Sequence, residues 1–414
     1  MDSDRFRYIA GINRAFTPSL PITSRDSFAG RSRELQKVVG VVCEPGKHAV
    51  IYGERGVGKT SLANTIFDFL VYMGRHNYQR ARINCSRDMT FGRIWQGVFR
   101  QLTTKLDGED VSLDQSIPDN PNSEDIRHVF SLMDDPSIVI IDEFDRLERG
   151  DIETTFADTI KTLSDNDADA TLVIVGVADS LNQLIAEHKS IQRAIREIPV
   201  TRMSKLELLE IVQKGLKQCD GLSIDPDPLD RIADYSQGLP SITHLLAREA
   251  CFSAVQGLRT QVTMADLNTG MKEAVDAQLE TCLEAYRCAV TAPRGIHFKP
   301  VLLACAMAKK DDHGFFYANQ VTEPLRLISN KADFDIPQFA FHLKAFCSEQ
   351  RGHALEKRGK QYRFVYPIME PYVILRGLAD GMISESQLSR PSVTSTEPEQ
   401  LSLLFPSAAL VLEP

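Results

Sequence analysis

An α/β chain built on a parallel sheet and continued by smaller helical and mixed units is predicted by three observations. Between about residues 47 and 200, five short apolar runs alternate with stretches of helical period, the pattern of strands joined by crossover helices. The first run ends in a glycine-spaced turn, Gly53-Glu54-Arg55-Gly56-Val57-Gly58-Lys59-Thr60, directly ahead of a helical stretch. Beyond residue 200 the pattern turns all-helical, and then changes again to three helices and a hairpin. A length of 414 residues suits two or three domains, each burying its own core.

In chain order, residues 1–26 read as an N-terminal arm and 27–200 as the core. "KHAVIYG" is a short apolar run fit for a buried strand, and "SLANTIFDFLVYM" after the turn repeats apolar residues at helical spacing. "QRARINC", "SIVIIDE", "TLVIVGVA" and "IREIPV" supply the other strands. Leu106 to Asp125, rich in Asp, Ser and Pro, reads as a solvated loop inside the domain. Residues 201–286 form a helical lid. In 287–384, "FKPVLLACAMAKK", "NQVTEPLRLI" and "IPQFAFHLKAFCSEQ" read as helices and "HALEKRGKQYRFVYP" as a hairpin with a basic turn, the layout of a winged helix. Residues 385–414 are a flexible tail whose apolar end, "LSLLFPSAALVLEP", is expected to dock on its own chain or on a partner. No internal repeat is found.

Formal net charge is −9 with a pI near 5.6, which disfavours indiscriminate nucleic-acid binding through bulk charge. Two stretches run against that average. Residues 75–100 hold six arginines against Asp88, and residues 344–363 hold Lys344, Arg351, Lys357, Arg358, Lys360 and Arg363 against Glu349 and Glu356. Such segments can meet a phosphate backbone, and equally a solvated or protein-docking face. Eight cysteines show neither C-x-x-C pairing nor zinc spacing, which fits a reducing cytoplasm. No leader-like apolar stretch and no 18-residue apolar run occurs, so no membrane association is expected.

The glycine-spaced turn carries chemistry. Gly53, Gly58, Lys59 and Thr60 fit G-x-x-x-x-G-K-[ST], in which the backbone N–H groups through Arg55, Gly56, Val57 and Ser61 surround nucleotide phosphates. Lys59 reaches the β and γ oxygens and Thr60 meets Mg2+. Ile138–Ile141 make a buried strand ending in Asp142 and Glu143, so Asp142 can join the metal shell and Glu143 can polarise an attacking water. The cofactors implied are ATP/ADP and Mg2+.

With these motifs the chain resembles the AAA+ class of P-loop ATPases, in the branch shared by origin-recognition and replication-initiator ATPases and the signal-transduction ATPases with numerous domains. The resemblance runs over about residues 15–380 and rests also on "FAGRSREL", "LVIVGVADS", "IQRAIREIPVTRMS", "GLPSITHLLAREA" and the winged helix. It implies a P-loop NTPase parallel sheet with helical lid and winged helix, and places Gly30 and Arg31 beside adenine and ribose. Gly238 and Pro240 resemble the Gly-x-Pro turn that senses ADP, with His244 or Arg248 further along the helix within possible reach of phosphate. Asp179 stands where the class carries a polar sensor, Ser180 being a substitute and a helix cap the plainer role for Asp179. Arg193 matches the arginine that completes a neighbouring subunit's site, with Arg196 and Arg202 as fallbacks. The resemblance implies an ATP-hydrolysing switch that forms a homo-oligomer and controls a co-encoded effector, as in phage defence. The alternative is a DNA-binding initiator, loader or mobile-element targeting ATPase that uses the winged helix and the Arg-rich segment.

Overall fold

A computed structural model describes residues 2–106, 109–148, 150–166, 168–177, 191–219, 221–276, 280–291, 297–311, 313–329 and 336–388. Its centre is a five-stranded, all-parallel sheet of β1 (His48–Gly53), β2 (Gln79–Asn84), β5 (Ser137–Asp142), β6 (Ala170–Gly176) and β7 (Ile195–Val200), in the spatial order β2-β5-β6-β1-β7. The apolar runs are buried because both faces are covered. Ile138 and Ile140 of β5 face one cluster with Ile51 and Val173, while Val139 and Ile141 face another with Val50 and Ile174. Period-two alternation thus feeds two cores, so strands buried on both sides read as unbroken apolar runs.

Helices α2 (Ser32–Val42), α3 (Lys59–Asn64) and α4 (Ile66–Tyr72) pack on the first face. On the second lie α5 (Phe91–Phe99), α6 (Ser123–Phe130) and α7 (Asp151–Asp165), with Trp95, Phe99, Phe130 and Phe156 in edge-to-face and stacked contact. The segment expected to be a solvated loop from Leu106 is in part ordered otherwise. Strand β3 (Thr103–Leu106) pairs antiparallel with β4 (Glu109–Ser112), and Leu113 at the start of the next turn is buried.

The lid comprises α8 (Lys205–Lys217), α9 (Pro226–Tyr235), α10 (Pro240–Gln256) and α11 (Met264–Asp276), with a short parallel pair β8 (Ser223–Ile224) and β9 (Gln261–Val262). The N-terminal residues are no free arm. Helix α1 (Asp2–Ala15) lies on α8 and α10, and Phe16 fills a notch that exists because residue 215 is glycine: a Cβ there would stand 2.3 Å from the Phe16 ring. Helix α12 (Glu280–Val290) crosses the expected 286/287 boundary. It packs with the C-terminal unit, Tyr286 lying edge-on to Tyr372 with ring centres 5.2 Å apart. That unit contains α13 (Phe298–Met307), β10 (Phe316–Tyr317), α14 (Thr322–Ser329), α15 (Ile336–Phe346), β11 (Leu355–Arg358), β12 (Gln361–Phe364) and α16 (Met369–Ala379). Its strands form an antiparallel sheet in the order β10-β12-β11. The apolar tail from Leu401 lies outside the described residues.

Candidate functional site

The glycines of the loop after β1 have distinct physical reasons. A Cβ on Gly53 would stand 2.1 Å from the Val200 carbonyl oxygen, so no other residue fits beside β7. Gly56 and Gly58 have φ of +85° and +95°, and Gly58 caps α3, whose first-turn amides lack intrahelical partners. The Lys59 ammonium donates to the Gly53 and Glu54 carbonyls at 3.0 and 2.8 Å. Burial pushes Lys59 down to about 8, against the pull of Asp145 and Asp142.

Asp142 ends β5 at the same sheet edge and is buried. Its Oδ1 accepts from Thr60 Oγ1 at 3.4 Å and from the Glu143 amide at 2.9 Å; its Oδ2 accepts from Arg82 Nη2 at 2.9 Å. A hydroxyl and a carboxylate converging at the foot of a phosphate loop are the hard oxygen donors that Mg2+ accepts, with water and phosphate completing its shell, so these residues fit the ion. Glu143 has φ of +55°, unusual for a side-chain-bearing residue, and its Oε2 meets Arg146 Nη1 at 2.7 Å. Its carboxylate is half exposed.

Two residues unremarked in the sequence belong to this site. Asp145 accepts the Val177 amide at 3.2 Å, tying the β5 loop to the end of β6, and lies 4.0 Å from Arg55. Arg82, counted as part of a basic stretch, is instead fixed between Asn64 Oδ1 (2.6 Å) and Asp142. Arg87 and Arg100 are paired too, with Glu148 and Asp114. The Arg-rich segment is therefore no continuous free basic face; half of its arginines face carboxylates.

The lid meets the loop at the start of α10. Pro240 Cγ would lie 3.7 Å from a Cβ on Gly58, and Ser241 Oγ 3.6 Å from one on Gly56. The turn before it has two consecutive left-handed residues, Gln237 and Gly238. The later candidates have partners of their own: His244 Nδ1 accepts the Thr17 amide at 3.3 Å, and Arg248 pairs with Glu249 at 2.8 Å. The segment that follows Thr17 runs beside the helices after the loop, the Ile22 amide donating to Ser61 Oγ of α3 at 3.0 Å and the Arg25 amide to Asp68 of α4 at 3.2 Å. Residues 17–25 thus wall the site, a contribution with no local motif to betray it.

Gly30 and Arg31 precede α2. Arg31 is buried, not a solvated helix-start charge, and adopts φ of +59°. Its guanidinium donates to the carbonyls of Val57, at 3.2 Å, and Thr201. The Gly30 and Arg31 amides donate to Glu210 and Glu207 of α8, both at 3.0 Å. The pair thus joins phosphate loop, sheet end and lid.

Arg193 is exposed and pairs with Asp165 at 2.5 Å. It precedes β7, whose Ile195 is level with His48 at the start of β1, whereas the phosphate loop leaves β1 at Gly53. Five residues of strand are about 17 Å, so Arg193 cannot serve the nucleotide of its own chain. Arg196 stands exposed on β7 beside Ala49. Arg202 is no free finger: its guanidinium is buried between Glu54 and Glu370. Asp179 and Ser180 lie outside the described residues.

Strand order, glycine loop and strand-end carboxylates are those of the P-loop NTPase fold of AAA+ type. Residues 44–185 match the family described as AAA domain. Among solved structures, the chain is 14% identical to the Aeropyrum pernix ORC2 protein (ADPNP-ADP complexes), covering 88% of this chain and 98% of that one with a TM-score of 0.51. It is 12% identical to the Walker-type ATPase paby2304 of Pyrococcus abyssi, covering 86% and 98% with a TM-score of 0.50. Cdc6p from Pyrobaculum aerophilum is 18% identical, with 90% and 99% covered and a TM-score of 0.46. At these identities the likeness is one of fold. No curated protein matches the sequence. No helix among the described residues is long and apolar enough to cross a membrane.

Proposed function

We propose that the protein is an ATP-binding and hydrolysing switch, in which nucleotide held between sheet and lid sets the position of the C-terminal unit. The observation that carries this is the meeting of Lys59, the Thr60–Asp142 pair and the Pro240 end of α10 around one loop. A nucleotide there touches core and lid together, so the two states differ in contacts and a population shift follows. Lys59 binds the β and γ phosphates; Thr60 and Asp142 hold Mg2+, which neutralises the phosphates' charge. Glu143 accepts the proton of the attacking water once its carboxylate leaves Arg146. Gly30 and Arg31 close the base and ribose side together with residues 17–25, and Pro240 borders the phosphate loop from the lid.

Arg193, unable to reach its own nucleotide, completes a neighbour's site, which makes the working form a homo-oligomer. Control of a co-encoded effector in phage defence, within the cytoplasm, is the setting the resemblance suggests. Co-purification of an effector that is lost in Lys59→Ala would support it, and capture independent of nucleotide would refute it. The nucleotide assignment itself is tested by calorimetry: Lys59→Ala is expected to abolish ATP binding, and unchanged affinity would sink the reading.

A second reading, DNA binding, is favoured by the C-terminal unit. Its order of helix, strand, two helices and hairpin supports reading it as a winged helix, and Lys344 on α15, Lys357 on β11 and Lys360 at the hairpin turn are exposed. Arg363 is spent on Glu356 and Arg351 stacks on Phe298, so the exposed charge is smaller than the sequence suggests. Lys344→Glu with Lys360→Glu is expected to abolish retention of duplex DNA if that reading holds, and undiminished retention would reject it.

A further inference from the structure

Four charged side chains from distant parts of the chain meet in one buried cluster. Arg202 Nε and Nη2 donate to the two oxygens of Glu54 at 2.9 and 3.0 Å, and Nη2 lies 2.8 Å from Glu370 Oε2. The Lys310 ammonium lies 3.0 Å from Glu370 Oε1 and donates to the Ala306 and Ala308 carbonyls. Side-chain exposures are 3% for Glu54, 11% for Arg202, 0% for Glu370 and 7% for Lys310. Two acids and two bases make the cluster neutral. Glu54 is the residue after the first glycine of the phosphate loop, Arg202 follows the last strand of the sheet, and Glu370 and Lys310 belong to the C-terminal unit.

We infer that this cluster couples occupancy of the phosphate loop to the C-terminal unit, with Glu54 as its nucleotide-side member. The inference rests on the switch reading above and names the parts that carry the signal. Glu54 has two attachments: its carbonyl holds the Lys59 ammonium, and its carboxylate holds Arg202. A phosphate in the loop competes for that ammonium, releasing the Glu54 peptide on one side while the carboxylate stays bound on the other. Arg202 passes the displacement in two directions, since its Nη1 also donates to the Gln237 carbonyl in the lid turn at 3.2 Å. Rupture of a buried neutral cluster at any one link strands a charge away from water, so its members move or exchange partners together. The C-terminal unit also seals it. Gly314, with φ of +78°, lies so close that a Cβ would stand 2.8 Å from Glu54 Oε1 and 3.0 Å from Arg202 Nη2.

Hydrogen exchange of the full chain with and without ADP, or a non-hydrolysable ATP analogue with Mg2+, tests this. In the wild type, nucleotide is expected to alter exchange in peptides from residues 50–60 and also from 306–311 and 367–373. Lys310→Met with Glu370→Gln removes a neutral pair and leaves Glu54–Arg202 in place. That variant is expected to keep the response at 50–60 and lose it at the C-terminal peptides. Glu54→Gln, close in shape, breaks the chain of contacts at the other end and is expected to give the same loss, which keeps the test alive should the double variant not fold. A C-terminal response that persists in either folded variant, or that is absent in a wild type whose loop responds, overturns the coupling. A wild type unresponsive at 50–60 overturns the nucleotide reading itself, and the coupling with it.

Discussion

Lys59 gives the site a measurable pH signature. Its ammonium is pushed by burial from 10.5 to about 8 in the nucleotide-free protein, a change worth about 3 kcal/mol. Phosphate oxygens restore the preference for the charged form, so nucleotide binding takes up a proton wherever the free lysine is neutral and the bound one is not. The sign follows: affinity is full below about pH 8 and falls as pH rises above it, by up to about tenfold per unit, until the bound lysine also titrates. Free protein shows the opposite trend. Between about 8 and 10.5 its folded form binds fewer protons than the unfolded chain, so its own stability gains from rising pH in that window. Calorimetry from about pH 7.5 to 9.5, above the second phosphate ionisation at roughly 6, in buffers of differing ionisation enthalpy, would report both affinity and proton uptake. Lys59→Arg keeps its charge throughout and is expected to bind with a flat pH profile. A flat wild-type profile, or an equal slope in Lys59→Arg, would refute the assignment of the proton to Lys59.

Other perturbations follow from particular contacts. Phe16→Ala empties the notch over Gly215 and is expected to cost about 3–5 kcal/mol, read as a drop in thermal midpoint; a change below 1 kcal/mol would show that α1 is dispensable to the lid. Glu143→Gln is expected to leave ATP binding intact while slowing turnover by about 10²–10⁴, and wild-type turnover would move the base elsewhere. Mixing Arg193→Ala with Lys59→Ala chains is expected to restore turnover, a trans arginine being worth about 10³–10⁵. No recovery in mixtures that demonstrably co-assemble would make Arg193 structural, through Asp165.

What could be read in advance was local in sequence. The phosphate loop occupies consecutive residues, and Asp142 is announced by the four apolar residues before it. Sites assembled across the chain left fainter marks. Arg31 meets carbonyls 26 and 170 residues away, and nothing in the sequence around Arg202 or Glu370 announces that the two meet in a buried pair. Arg82 read as surface charge because a strand's period tells which residues share a face, not which partner waits there. The hairpin from Thr103 did carry a signal, since Asp107-Gly108 is a favoured two-residue turn between strands; the surrounding Asp, Ser and Pro outweighed it. Gly215 inside a helical period was likewise a legible sign of close packing.

The stitching of the first helix to the lid bears on how the chain is made. Thr17 is bonded to His244, 227 residues later, and Phe16 packs over Gly215, so α1 and the segment after it have no complete surface to settle on until α8 and α10 have been synthesised. At about 5–20 residues per second, that delay is roughly 10–50 s. Throughout it the phosphate loop can form, its strands being earlier in the chain, but the wall contributed by residues 17–25 lacks the contact that anchors its beginning. Completion of the nucleotide site is therefore a late event in biosynthesis, although it is built largely from the earliest part of the chain.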